Sequence, residues 1–92
     1  MQPKLVGMRK PLLAPGLIRR DLADAVRAIR ETLKLPVDHF RTEGLSFNRH
    51  MTKAYVLVVV GPGAFNCEGW GLMFHLRDSG WELVWSKFKW IS

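Results

Sequence analysis

The side chains best suited to chemistry in this chain are one thiol and three imidazoles: Cys67, with His39, His50 and His75. A cysteine beside a histidine can act as an activated nucleophile, with the imidazole taking the thiol proton. The same four groups offer the sulfur and nitrogen ligands that zinc prefers. Their spacing supports neither use, because positions 39, 50, 67 and 75 contain no compact ligand pair. His75 falls between Phe74 and Leu76 in a run of strand length and reads as a half-exposed sheet residue. An isolated cysteine behaves as a small apolar side chain. Gly61-Pro62-Gly63 follows an apolar run as a phosphate loop would. No helix pattern follows it and no Lys-Ser/Thr pair closes it, so it reads as a turn. We expect no catalytic residue, no metal and no cofactor.

Binding chemistry is the alternative, and charge is its first indicator. The net charge is +6, unevenly placed. Residues 1–20 hold Lys4, Arg9, Lys10, Arg19 and Arg20 and no acid, whereas residues 21–92 hold nine basic and eight acidic side chains. A basic arm on a nearly neutral body suits an anionic partner such as nucleic acid, an acidic protein face or a phospholipid surface, and also serves simply as a solvated tail. On a helical wheel Arg19, Arg20, Arg27, Arg30 and Lys34 form a band beside the apolar face. Asp24 lies four residues after Arg20 and Glu31 four after Arg27, so local ion pairs compete with that use. The second indicator is aromatic. Rings exposed beside Arg and Lys can stack on nucleobases. Four Trp and five Phe in 92 residues read more simply as core, since each ring buries about 150–250 Å². Phe65, Phe88 and Trp90 are the candidates for an apolar interface.

These side chains need elements to position them. A chain of this length makes one small domain that buries only about 60–65% of its unfolded surface. Residues 1–16 contain Pro3, Pro11 and Pro15 with Gly7 and Gly16, which predicts an extended arm. Residues 17–35 carry Ile18, Leu22, Ala25, Val26, Ile29 and Leu33 on one helical face, bounded by Pro15-Gly16 and Leu35-Pro36. Residues 54–60 are almost wholly apolar, as in a central strand buried on both faces. One face should meet the helix; the other needs cover from the arm or a partner chain. Residues 61–69 form a long turn, and Arg77-Asp78-Ser79-Gly80 a hairpin with glycine supplying a left-handed backbone. Residues 70–76 and 81–85 are strands. Phe88 and Trp90 break the parity of Trp81, Leu83 and Trp85, so either a bulge near Ser86-Lys87 brings all five to one side, or Phe88 and Trp90 face outward. A strand around 44–48 is left open. The expected fold is α+β: residues 1–16 an extended basic arm, and 17–92 one domain with a single amphipathic helix on a three- to four-stranded antiparallel sheet.

Leu76-Arg77-Asp78-Ser79-Gly80-Trp81-Glu82-Leu83-Val84, with the closing Trp90-Ile91-Ser92, resembles the end of the meander in cystatin-like and nuclear-transport-factor-like α+β folds. The resemblance covers residues 17–92 and implies a helix against a curved sheet. It brings no site with it, because the Gln-Val-Val-Ala-Gly motif of the cystatins is absent. Asn66-Cys67-Glu68-Gly69 resembles the Asp-Cys-Ser-Gly motif of bacterial cell-wall amidases over four residues only. In that family the cysteine opens a helix, and here a strand pattern follows.

No apolar run approaches the roughly 20 residues that span a bilayer, and a lone cysteine excludes an internal disulfide and suits a reducing compartment. The expectation is therefore a cytoplasmic, non-enzymatic binding or adaptor module acting through a protein interface, with homodimerisation through the sheet as one form. The alternatives are a nucleic-acid-binding accessory domain using the basic arm and helix ridge, and a small-ligand pocket between helix and sheet.

Overall fold

The computed structural model describes residues 10–63 and 66–91. It contains one α-helix, α1 (Leu22–Thr32), and five strands: β1 (Ile18–Arg19), β2 (Phe40–Phe47), β3 (Lys53–Val60), β4 (Glu68–Arg77) and β5 (Gly80–Ile91). All pairings are antiparallel, in the order β1-β5-β4-β3-β2. The α+β class holds; the sheet has five strands rather than three or four. β2 is the strand left open around 44–48, here starting at Phe40, and β1 is the addition.

The helix is shorter than its periodicity predicts. Residues 16–19 are drawn away by the sheet: Gly16 N–H donates to the Leu83 carbonyl (2.9 Å) and Leu83 N–H to that of Leu17 (2.8 Å). Asp21, in extended conformation, then caps the helix. At the other end Lys34 adopts a left-handed backbone (φ 59°). Its N–H bonds the Glu31 carbonyl (3.0 Å) and the Leu35 N–H reaches that of Arg30 (3.1 Å). This double bond pattern terminates a helix by satisfying its last carbonyls.

One face of the sheet carries the core. Ala54, Val56 and Val58 of β3, Trp70, Leu72 and Phe74 of β4, and Leu83 of β5 pack with Ala25 and Ile29 of α1. Leu12 and Leu13 of the arm, with Leu17 beyond it, join this core, so the described part of the arm covers the helix side. Buried Ser86 is met there by Leu13, whose N–H donates to the Ser86 hydroxyl (3.3 Å) and whose carbonyl accepts from it (3.4 Å).

Two bulges resolve the parity of β5. Met73 pairs with Trp85 and Phe74 with Leu83, leaving Val84 extra; Trp70 pairs with Phe88 and Gly69 with Trp90, leaving Lys89 extra. Each extra residue flips the alternation. Trp81, Leu83, Ser86 and Phe88 therefore share the helix side, and Trp85, Lys87 and Trp90 the far side. The five apolar residues are divided between faces, three and two, which neither expected arrangement anticipates.

The connection between β3 and β4 runs from residue 61 to 67, since Glu68 already pairs with Val60. The hairpin at Asp78-Ser79 is as expected. Gly80 has φ +135°, and any Cβ there would run into the Arg19 carbonyl of β1.

Candidate binding surfaces

An α-helix is about 10–12 Å across, whereas neighbouring strands lie about 4.8 Å apart. One helix therefore covers two or three of five strands. Here α1 lies against β5 and β1 and the β3 side chains of that face are buried, which leaves the helix side of β2 partly open. The result is an apolar groove of about 430 Å³ lined by Leu22, Ala23 and Val26 of α1, Thr42, Leu45 and Phe47 of β2, and Val56 of β3. Leu45 is 55% exposed and Phe47 38%. Phe47 meets Trp81 edge-on, with ring centroids 5.9 Å apart. Thr42 is the single polar side chain among these lining residues, so the groove has little with which to orient a polar ligand. Its outer wall is an edge of the sheet: among the described residues β2 pairs with β3 alone. A bulge at Glu43 interrupts that pairing, between Thr42 and Gly44.

The far face is built differently. Register places Arg41, Val59, Gly69 and Trp90 in one row across the sheet, Gly44, Leu57, Gly71 and Lys87 in the next, and Ser46, Tyr55, Met73 and Trp85 in a third. The two mid-strand glycines seat aromatic rings: a Cβ on Gly69 would collide with the Trp90 indole, and one on Gly71 with the Tyr55 phenol. Tyr55 and Trp85 lie 6.0 Å apart, tilted by 55°. The Lys87 ammonium sits 4.7 Å above the Trp85 ring. A hollow of about 190 Å³ opens beside Tyr55, lined by Ser46, Phe47, Asn48, Lys53 and Met73 as well. No helix or strand among the described residues crosses this face.

The basic residues singled out by sequence differ in their local partners. Lys4 and Arg9 lie outside the described residues. Lys10, Arg19 and Arg20 are exposed, and Arg19 donates to the Ile18 carbonyl (2.8 Å). Arg27 is ion-paired with Asp24, three residues back rather than with Glu31. Arg30 donates to the Leu35 carbonyl (2.9 Å) and lies 3.8 Å from Glu31. Lys34 occupies the left-handed stop of the helix. Of the apolar candidates, Phe65 lies outside the described residues. Phe88 is half-buried on the helix side, edge-on to Trp70 at 5.6 Å. Trp90 is 39% exposed on the far face. Tyr55, Trp85 and Lys87 were not singled out by sequence; the signal was the aromatic-glycine alternation, legible only once cross-strand register is known.

Cys67 is buried. Neither hollow is lined by Cys67 or by a histidine. Among the described residues no three His, Cys, Asp or Glu side chains are grouped so as to hold a metal. No helix among them is long and apolar enough to cross a membrane. No protein-family model, curated protein or solved structure matches the chain.

Proposed function

We propose that the protein is a non-enzymatic binding module whose partner is another protein, held at the α1–β2 groove. The observation that carries this reading is the placement of an open apolar groove directly against a sheet edge that no other strand of the described residues pairs with. An extended peptide laid along β2 gains main-chain hydrogen bonds from the edge and sinks alternate side chains into the groove, a recurrent mode of peptide recognition. Leu22, Val26, Leu45 and Phe47 supply the apolar wall, and such residues left open in a small domain mark an interaction surface.

A displayed library of random peptides selected on the full chain tests the reading. Binders with apolar residues two apart are expected. Their binding should weaken at least about tenfold on Leu45→Arg, one lost apolar anchor being worth about 1.4 kcal/mol or more. Backbone amide protection on binding should fall within residues 40–47. Selected peptides indifferent to Leu45→Arg, or protection elsewhere, would overturn it. A homodimer that Leu45→Arg dissociates would assign the edge to self-association instead.

A further inference from the structure

We infer that the far face of the sheet is a second binding site, for single-stranded nucleic acid. The inference does not depend on the groove, which lies on the opposite side. It rests on three features of one surface. The first is rings: Tyr55 and Trp85 share one row and Trp90 lies two rows along, beyond the Gly71–Lys87 row, and rows recur about every 7 Å along a strand. Every base presents a π-face, so such rings bind single strands with little regard to sequence. The second is glycine. Glycine within a strand weakens it and often marks close approach by a ligand or another group; here Gly69 and Gly71 lower the floor so that two of the rings can lean across it.

The third feature is charge. Among the described residues of this face, Glu82 is occupied by Arg77 (2.8 Å) and Arg41 by Glu43 (2.8 Å). Lys53 and Lys87 have no ion-pair partner among the described residues, and both are exposed. Lys87 already stands over Trp85, and Lys53 borders the hollow beside Tyr55. Each free cation thus stands beside an aromatic ring. A single strand presents phosphate and base in the same repeat and satisfies both together. A duplex hides its base faces, and a protein carboxylate offers charge without the ring.

The test is fluorescence anisotropy of the full chain with a labelled mixed-sequence oligonucleotide of about 12 nucleotides, within the span of a small single-strand-binding domain. Measurements run from about 50 to about 200 mM salt. Single strands should bind with quenching of tryptophan emission, and the matching duplex at least about tenfold more weakly. Trp85→Ala should reduce affinity about 5- to 150-fold, the range of one lost base–aromatic stack. Lys53→Gln and Lys87→Gln are surface changes that keep the result independent of folding. Each should lower the salt slope by about 0.7, the value for one phosphate contact on a single strand. Equal binding of duplex would overturn the inference. So would loss of binding on Arg19→Gln with Arg20→Gln but not on Lys87→Gln, Trp85-dependent binding to anionic lipid vesicles with none to oligonucleotide, or no binding tighter than about 100 μM at about 50 mM salt.

Discussion

Ile29 and Gly71 show how differently single residues are held. Ile29 is fully buried at the centre of the helix–sheet contact. Truncation to Ala leaves a cavity that neighbours fill only in part, and should cost about 2–5 kcal/mol, measured by urea unfolding. Gly71 is constrained from outside the core. Gly71→Ala places a methyl against the Tyr55 phenol, so the ring must turn away. A loss of about 1–3 kcal/mol is expected, with a change in near-ultraviolet circular dichroism that Ile29→Ala need not produce. The contrast marks what sequence shows at this scale. The helical period placed Ile29 on the apolar face directly. The role of Gly71 depends on Tyr55 standing across from Met73 and leaning one row along, which no local pattern encodes.

The elements divide in the same way. β3 was legible because seven apolar residues in succession suit a strand with neighbours on both sides. The turn before β5 was legible because it is local. β2 is ambiguous in sequence because its helix-side residues, Phe40, Thr42, Leu45 and Phe47, do not keep a period of two. The bulge at Glu43 inserts a step, and a bulge is a property of the pair, not of one strand. β1 was absorbed into the helix because Ile18 and Leu22 fit a helical spacing, while the bonds that claim Leu17 come from Leu83, far along the chain. The residues proposed for binding are hidden for the same reasons, since Leu45 lies beyond one bulge and Trp85 beyond another. At the end of α1, Lys34 holds a left-handed backbone that L residues other than Asn and Asp adopt reluctantly. Lys34→Gly should therefore stabilise the protein by about 0.5–1 kcal/mol, seen as a higher unfolding midpoint at unchanged denaturant slope.

At the scale of the molecule, one short helix is asked to cover a wide sheet, and the arm makes up part of the difference. Leu12 and Leu13 are half-buried against the core. Removing residues 1–14 should cost about 1.5–3 kcal/mol, half of the usual 1.5–3 per fully buried side chain for each leucine, and should increase binding of a hydrophobic dye. An unchanged midpoint would show the arm to be dispensable. The same arrangement governs the order in which the protein can be made. The start of the described chain is hydrogen-bonded to its final strand: Leu13 to Ser86, Gly16 to Leu83, and β1 to the turn end of β5. β5 also supplies Leu83 to the core. A ribosome releasing the chain from its N-terminus therefore exposes the arm, β1 and the helix before β5, which all three rest against, exists. Folding should wait for the last strand and proceed in milliseconds to seconds, as in other sheet proteins dominated by distant pairings. Nascent chains halted before residue 80 should remain sensitive to protease, and chains that include β5 should become resistant in a single step.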